Sequence, residues 1–338
     1  MRLLVTGAAG FIGSNFVHYW LERHPDDSVF ALDLLTYAGN RANLDDVAAR
    51  VPLVEADIAD RGVVESVLAE ERVDVVVNFA AESHNSLAVV DPERFVRTNV
   101  LGTQALLESS RRVGVSRFHH ISTCEVYGDL ALDSDDAFTE SSPYRPRTPY
   151  NASKAAADHL VRAYHETYGL PVTISNCSNN YGPYQFPEKV IPLFATYALD
   201  DRPLPMYAST THRREWLHVL DHCHAVERIL LDGVVGETYN VGSGVEATIE
   251  EIADLVLDTL GKPHSLKAIV PDRPGHDRRY LLDAGKLGRD LGWEPQIPFT
   301  RGVRETVEWY EQNRAWWEPL RDRAPVVESS WTEAEATR

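Results

Sequence analysis

The chain has 338 residues, 43% of them hydrophobic and 25% charged, a composition that can build a large core and excludes disordered and fibrous classes. Its 33 basic and 51 acidic residues leave a net charge of −18, which repels nucleic-acid phosphates and anionic membrane surfaces. The three cysteines, Cys124, Cys177 and Cys223, have neither disulfide nor zinc-knuckle spacing. With no signal-like start and no apolar run long enough to span a bilayer, they lead us to expect a cytoplasmic protein bound to neither membrane nor nucleic acid.

The first half alternates short apolar runs with longer amphipathic stretches. Strands are predicted at Leu3 to Thr6, Val29 to Asp33, Val51 to Glu55, Val73 to Phe79 and Phe118 to Ser122, with helices such as Phe11 to His24 and Asp60 to Glu70 between them. That alternation predicts an α/β fold with a Rossmann-type, doubly wound parallel sheet and right-handed crossovers. The run Val75-Val76-Val77-Asn78-Phe79 lacks polar alternation, as a central strand covered on both faces should. After about residue 180, turn signals cluster around shorter helices such as Ile249 to Leu260. The expected organisation is a dinucleotide-binding domain over 1–180, a smaller C-terminal substrate-binding lobe mainly over 181–322, and a loose polar tail over 323–338.

Gly7-Ala8-Ala9-Gly10-Phe11-Ile12-Gly13 follows the first predicted strand and opens a helix. Such a turn lets the backbone approach a pyrophosphate and rests it on the helix N-terminus. Asp33 ends the second strand, where a carboxylate accepts hydrogen bonds from the adenosine ribose and repels a 2′-phosphate, so the expected cofactor is NAD. Asp57 and Ile58 are placed to border the adenine, and Ala80 and Ala81 to leave room for the cofactor.

Tyr150-Asn151-Ala152-Ser153-Lys154 is a Y-x-x-x-K spacing, which on a helix puts both side chains on one face. A lysine ammonium there should pull the phenol down from about 10 and make it a base. Ser122-Thr123, closing a strand, offers a hydroxyl to orient a substrate.

These features resemble the extended short-chain dehydrogenase/reductase superfamily. Within it, Leu35-Thr36-Tyr37-Ala38-Gly39-Asn40, Ala80-Ala81-Glu82-Ser83-His84, Glu125-Val126-Tyr127-Gly128, Asn179-Asn180-Tyr181-Gly182-Pro183-Tyr184 and Pro187-Glu188-Lys189 resemble the dTDP-glucose 4,6-dehydratases. So do Arg214-Glu215-Trp216-Leu217-His218-Val219 and Asp272-Arg273-Pro274-Gly275-His276-Asp277. The resemblance implies NAD-dependent dehydration of a dTDP- or UDP-hexose. In that reaction Tyr150 takes the 4-hydroxyl proton with Thr123 and Lys154 in support, Glu125 removes the C5 hydrogen, and an acid protonates the departing C6 hydroxyl. It also implies that Ser83, Asn179, Lys189, Arg214, Arg273 and His276 bind the sugar nucleotide, with Pro205 and Tyr207 beside the base, and that the protein is a homodimer.

The chain departs from that family at the acid. Thr123-Cys124-Glu125 stands where the family reads Thr-Asp-Glu, so a thiol replaces the proton donor. Asn85-Ser86-Leu87-Ala88 stands where the family continues Val-Asp-Arg-Ser, and Ala208 to Arg213 replaces a Gly-Asp-Gly type turn. Two outcomes stay open: Cys124 serves as the acid and hydride returns to C6, or hydride returns to C4 and leaves a 5,6-unsaturated sugar nucleotide. An epimerase or a non-catalytic NAD-binding relative would share the Tyr and Lys. No metal is expected at Asp221-His222-Cys223-His224, since consecutive helical residues point apart. Trp309, Tyr310, Trp316 and Trp317 are read as packing or a subunit contact.

Overall fold

The computed structural model describes residues 1–272 and 277–323. Its largest sheet has seven parallel strands in the order β3-β2-β1-β4-β5-β6-β10. These are β1 (Arg2–Thr6), β2 (Ser28–Asp33), β3 (Leu53–Glu55), β4 (Val75–Asn78), β5 (Arg117–Thr123), β6 (Val172–Cys177) and β10 (Thr238–Val241). Three further strands, β7 (Asn179–Tyr181), β9 (Arg213–His218) and β11 (Glu246–Thr248), form a small sheet, and β8 (Leu204–Tyr207) pairs with β12 (Lys267–Val270).

Both faces of the large sheet are covered, which is why its strands read as unbroken apolar runs. Leu3, Val5, Val75 and Val77 point into one core with α1 (Phe11–Arg23), while Leu4 and Val76 point into the other. That second core also takes side chains from α2 (Arg61–Glu70) and from the helices Thr103–Val113 and Pro149–Tyr168. A third core lies under the second lobe, where Ile191, Phe194, Ile252, Val256, Val303, Tyr310 and Trp317 meet.

Element ends follow local chemistry. Asp60 caps α2 by accepting from the N–H groups of Gly62 and Val63 at 3.0 and 3.2 Å, and Thr248 with Glu251 forms a capping box at the start of the helix Ile249–Leu260. The third strand is shorter than expected because Pro52 has no N–H to donate; its carbonyl instead accepts from Ala31 N–H at 2.9 Å. Beyond the five predicted strands, β6 and β10 complete the large sheet, and β10 comes from well past residue 180. The helix Val219–Asp232 likewise packs on α1, so the later chain builds part of the first lobe too.

The aromatic residues near the C-terminal end are packing elements. Trp309 and Trp316 stand edge-on to one another at 5.0 Å and surround Tyr184, and Trp316 donates to Asn43 Oδ1 at 2.8 Å, tying the second lobe to the first. Residues Asp221 to His224 diverge: Asp221 accepts from the N–H groups of Gln296 and Ile297, His222 bonds Asn180, and Cys223 lies in the core.

Burial of titratable groups sets the acid response of the fold. Desolvation lowers His119 and His222 to about 3 and His218 to about 4, and pushes His120 well below the usual histidine range. A folded-state pKa below the unfolded one means that stability is present above about 6.5 and is lost as pH falls, by about 2 kcal/mol per such histidine between pH 7 and 5. Buried Glu215, raised to about 7, acts in the opposite direction and offsets about one of them, and Asp33, Glu82, Asp158 and Glu188, whose carboxyls burial also raises, oppose the histidines in part. With four histidines held neutral, the melting temperature should drop between pH 7 and pH 5 in thermal denaturation. An equal or higher value at pH 5 contradicts this reading.

Candidate functional site

The strand order reverses between β1 and β4, and the crevice at their C-terminal ends is where a doubly wound sheet binds ligands. The Gly-rich turn lies there and is shaped by contacts that only glycine permits. Gly7 has φ +66°, and a Cβ on it would stand 2.6 Å from the Ala80 nitrogen. A Cβ on Gly13 would stand 2.2 Å from the Gly7 carbonyl oxygen, so α1 rests directly on the turn. Gly10, the N-cap of α1, has no side chain with which to bond the first-turn amides, so these point toward the turn.

Asp33, nearly buried at the end of β2, accepts from Ala9 N–H at 2.9 Å and from Leu35 N–H at 2.8 Å. Burial raises its carboxyl and those backbone donors oppose the rise. Asp57 accepts from Ala59 N–H at 2.9 Å, Ile58 packs into the core against Gly102, and Ala80 and Ala81 remain half-buried at the end of β4. The glycine cradle, the uncapped helix end and the carboxylate at the end of β2 fit a dinucleotide.

Thr123 closes β5, and Cys124 and Glu125 begin the short 3-10 turn Cys124–Tyr127 that follows it. Pro149, at the first turn of the helix Pro149–Tyr168, and Thr148, whose hydroxyl accepts from Asn151 N–H at 3.2 Å, start the helix that carries Tyr150 and Lys154. The two elements meet. Thr123 hydrogen-bonds the Tyr150 phenol, and Glu125 and Cys177 lie close enough to act on it electrostatically. Phe95 stands edge-on to the Tyr150 ring at 6.2 Å, while Asn99 donates to Ser153 Oγ at 2.8 Å and Ser153 Oγ donates to the Tyr150 carbonyl at 2.7 Å.

Two expectations about this cluster change. Tyr150 is not pulled down in the protein alone: burial, then the charge of Glu125, pushes it well above its ordinary value, and the Thr123 hydrogen bond is the opposing influence. Lys154 is buried on the same helix and donates to the Ile121 carbonyl at 2.6 Å; desolvation lowers its pKa while Asp158 raises it. Ser122 is the second. Alternate strand residues face opposite sides, so its hydroxyl donates to Asp158 Oδ2 at 2.8 Å, away from Thr123.

Cys124 is almost completely buried among Val126, Tyr127, Ala155, Tyr280 and Leu282, and its thiol is raised well above its usual range, first by burial and then by Glu125. It is therefore protonated throughout the neutral range. Cys177, the strand partner of Thr123, is a second buried thiol, raised to about 12 by burial.

Lys189 donates to the Ser83 carbonyl at 3.0 Å and pairs with Glu188, which also accepts from the Tyr37 hydroxyl at 2.9 Å. Arg214 is buried, donates to the carbonyls of Arg213 and Asp277, and stacks over the Tyr280 ring at 4.8 Å. Tyr280 in turn feels the charge of Glu125, which links Arg214 to the Thr123 cluster. Asn179 opens β7, half-buried. Pro205 and Tyr207 share the half-exposed face of β8, opposite Leu204 and Met206, which enter the third core. Arg273, His276 and the tail from residue 324 lie outside the described residues.

Sequence reading missed the partners that come from distant segments. Tyr280 and Thr148 belong to no motif, and Asn85 registers only as a departure; in the structure Asn85 Nδ2 donates to Glu125 Oε2 at 3.0 Å. Only an unexpected polar residue in place of Val signalled it.

Comparison with known proteins agrees with this arrangement. Residues 4–306 match the model of the GDP-mannose 4,6 dehydratase family. The dTDP-glucose 4,6-dehydratase of Streptomyces antibioticus is 49% identical over 328 residues, 96% of each chain. Crystal structures of the dTDP-glucose 4,6-dehydratases of Streptomyces venezuelae and Bacillus anthracis, both containing NAD, superpose with TM-scores of 0.92 and 0.89 at 50% and 44% identity, each over 95% of this chain and 100% of the other. Some 50% identity along the whole length, on a Rossmann sheet with the Gly-rich turn and the Tyr150 cluster at its switch point, means that the chain belongs to the dTDP-glucose 4,6-dehydratase-like nucleotide-sugar dehydratases, NAD-dependent enzymes of the extended short-chain dehydrogenase/reductase family.

Proposed function

We propose that this NAD-dependent nucleotide-sugar dehydratase acts on a dTDP-hexose, removing water across C5 and C6 to give a 4-keto-6-deoxy sugar nucleotide. The observation that carries the reading is the convergence of Thr123, Cys124, Glu125 and Tyr150 beside the crevice of the Gly-rich turn. Gly7, Gly10, Phe11, Ile12 and Gly13 cradle the pyrophosphate of NAD and Asp33 takes the ribose. What NAD supplies when bound is a place to hold the C4 hydride until it is returned at C6.

Tyr150 takes the proton of the sugar 4-hydroxyl as its phenolate, with Thr123 beside it; the positive charge that NAD⁺ would bring when bound opposes the rise that burial and Glu125 cause in the protein alone. Once C4 is a ketone the C5 hydrogen is acidic, and the Glu125 carboxylate takes it. Cys124, adjacent in the chain and protonated, is the group read as giving the departing C6 hydroxyl its proton, so that it leaves as water. Lys189 and Arg214 supply positive charge for the diphosphate, which a net charge of −18 does not preclude locally. Pro205 and Tyr207 offer an apolar face to the base.

Three free, buried cysteines suit a reducing cytoplasm, and among the described residues no helix is long and apolar enough to cross a membrane. Exposed Val90, Val96 and Leu101, on neighbouring helical turns, give a second copy an apolar surface to cover, as a homodimer requires.

The test is dTDP-glucose carrying deuterium at C4, with the product analysed by mass and NMR. Loss of water with the label at C6 is expected. Loss of water with the label kept at C4 assigns the enzyme to 5,6-ene formation instead, and no loss of water rules out this substrate.

A further inference from the structure

We propose that Asn85 is a positioning residue for Glu125, holding its carboxylate in a three-residue bridge, Thr148–Asn85–Glu125, that ties the base to the helix carrying Tyr150. The inference rests on the reading of Glu125 as the C5 base and adds a specific residue to it.

Asn85 is the first residue of the helix Asn85–Val90. Its Nδ2 donates to both carboxylate oxygens of Glu125, at 3.0 Å to Oε2 and 3.4 Å to Oε1. Its Oδ1 accepts from Thr148 Oγ1 at 3.1 Å. The Thr148 oxygen accepts from Asn151 N–H as the helix cap while its hydroxyl hydrogen donates to Asn85. The ionised Glu125 carboxylate can only accept, and this fixes the orientation of the amide. Turned over, Asn85 would set its oxygen against the carboxylate and its NH₂ against the hydroxyl hydrogen.

The bridge joins three segments far apart in sequence at one carboxylate. A charge-assisted donor of this kind is stronger than a neutral one, favours the ionised form and limits the rotamers of a half-buried side chain. A base that removes hydrogen from carbon needs both its charge and its direction at the moment of transfer. Valine, which the dehydratases of the resemblance read at this position, has no donor to offer, so the bridge is a feature of this chain rather than of the motif.

The test uses the NAD-containing enzyme with dTDP-glucose and three variants: Asn85→Asp, Asn85→Val and Glu125→Gln. Asn85→Asp keeps the size and the acceptor for Thr148 but sets a second carboxylate against Glu125. The acid limb of its kcat profile should move up by about one pH unit or more, with KM changed less than about twofold. Asn85→Val removes the donor without adding charge, and should slow incorporation of solvent deuterium at C5 by about tenfold while the reduced nicotinamide forms at the wild-type rate. An unmoved acid limb in Asn85→Asp, or an Asn85→Val variant altered only in KM or in melting temperature, overturns the proposal and leaves Asn85 a structural residue. Should Glu125→Gln itself still exchange C5 at the wild-type rate, the base is another group, and the reading of Glu125 falls together with that of Asn85.

Discussion

Glu125→Gln should lower turnover of dTDP-glucose by about a thousandfold and stop it at a defined point, because a positioned general base contributes on the order of 10²–10⁴. Gln keeps the size of the side chain and an oxygen to accept from Asn85, so the fold and the Tyr150 cluster should survive. What is lost is the ability to take a proton from carbon. Oxidation at C4 should still occur, so the absorbance of reduced nicotinamide should build up and persist, where the wild type shows it only in passing. Normal product formation, or no reduced nicotinamide at all, would place the C5 base elsewhere. Removing the charge of Glu125 should also ease ionisation of the phenol, since that carboxylate is one of the groups raising Tyr150.

Tyr150→Phe should give the complementary block. The ring stays in its edge-on contact with Phe95 and its backbone carbonyl still accepts from Ser153, so the melting temperature should change little. The phenol oxygen is gone, and with it the hydrogen bond to Thr123 and the acceptor for the 4-hydroxyl proton. C4 oxidation should slow by about 10²–10⁴-fold, with no reduced nicotinamide accumulating and no C5 exchange, because the C5 hydrogen becomes acidic only after C4 is a ketone. If the variant still reduces its nicotinamide at the wild-type rate, Tyr150 is not the group that takes the proton. Measured side by side, the two variants separate the carbon-acid step from the oxidation step.

The parts of this protein readable from sequence are those whose cause is local. The apolar runs of β1 and β4 are unbroken because both faces of each strand are covered, and that is a property of composition within a few residues. Asp60 and Thr248 mark helix starts because their side chains bond the next turn. Gly7 and Gly13 are glycine because the turn and the helix start touch one another. β10 was not legible, since four residues that join the edge of a sheet built mostly from the first 180 carry no signal of where they will pair.

The same division runs through the site. The order Thr123, Cys124, Glu125 and the spacing of Tyr150 and Lys154 mark the candidate site, because one short turn and one helical turn fix their relative positions, and the resemblance supplies the chemistry expected of them. Their electrostatics do not follow from spacing. Packing against Phe95 and the ends of β5 and β6 desolvates Tyr150 and Cys124, so that the phenol and the thiol both sit above their ordinary values. The direction of Ser122, the carbonyl bound by Lys154 and the amide of Asn85 against Glu125 depend on side chains meeting across distances in sequence that no periodicity encodes. Sequence alone thus determined the fold class, the cofactor turn and the candidate reacting residues of this protein, all products of neighbours along the chain. Tertiary structure alone decided how those residues are charged and aimed, because desolvation and hydrogen-bond geometry arise only where separate segments pack together.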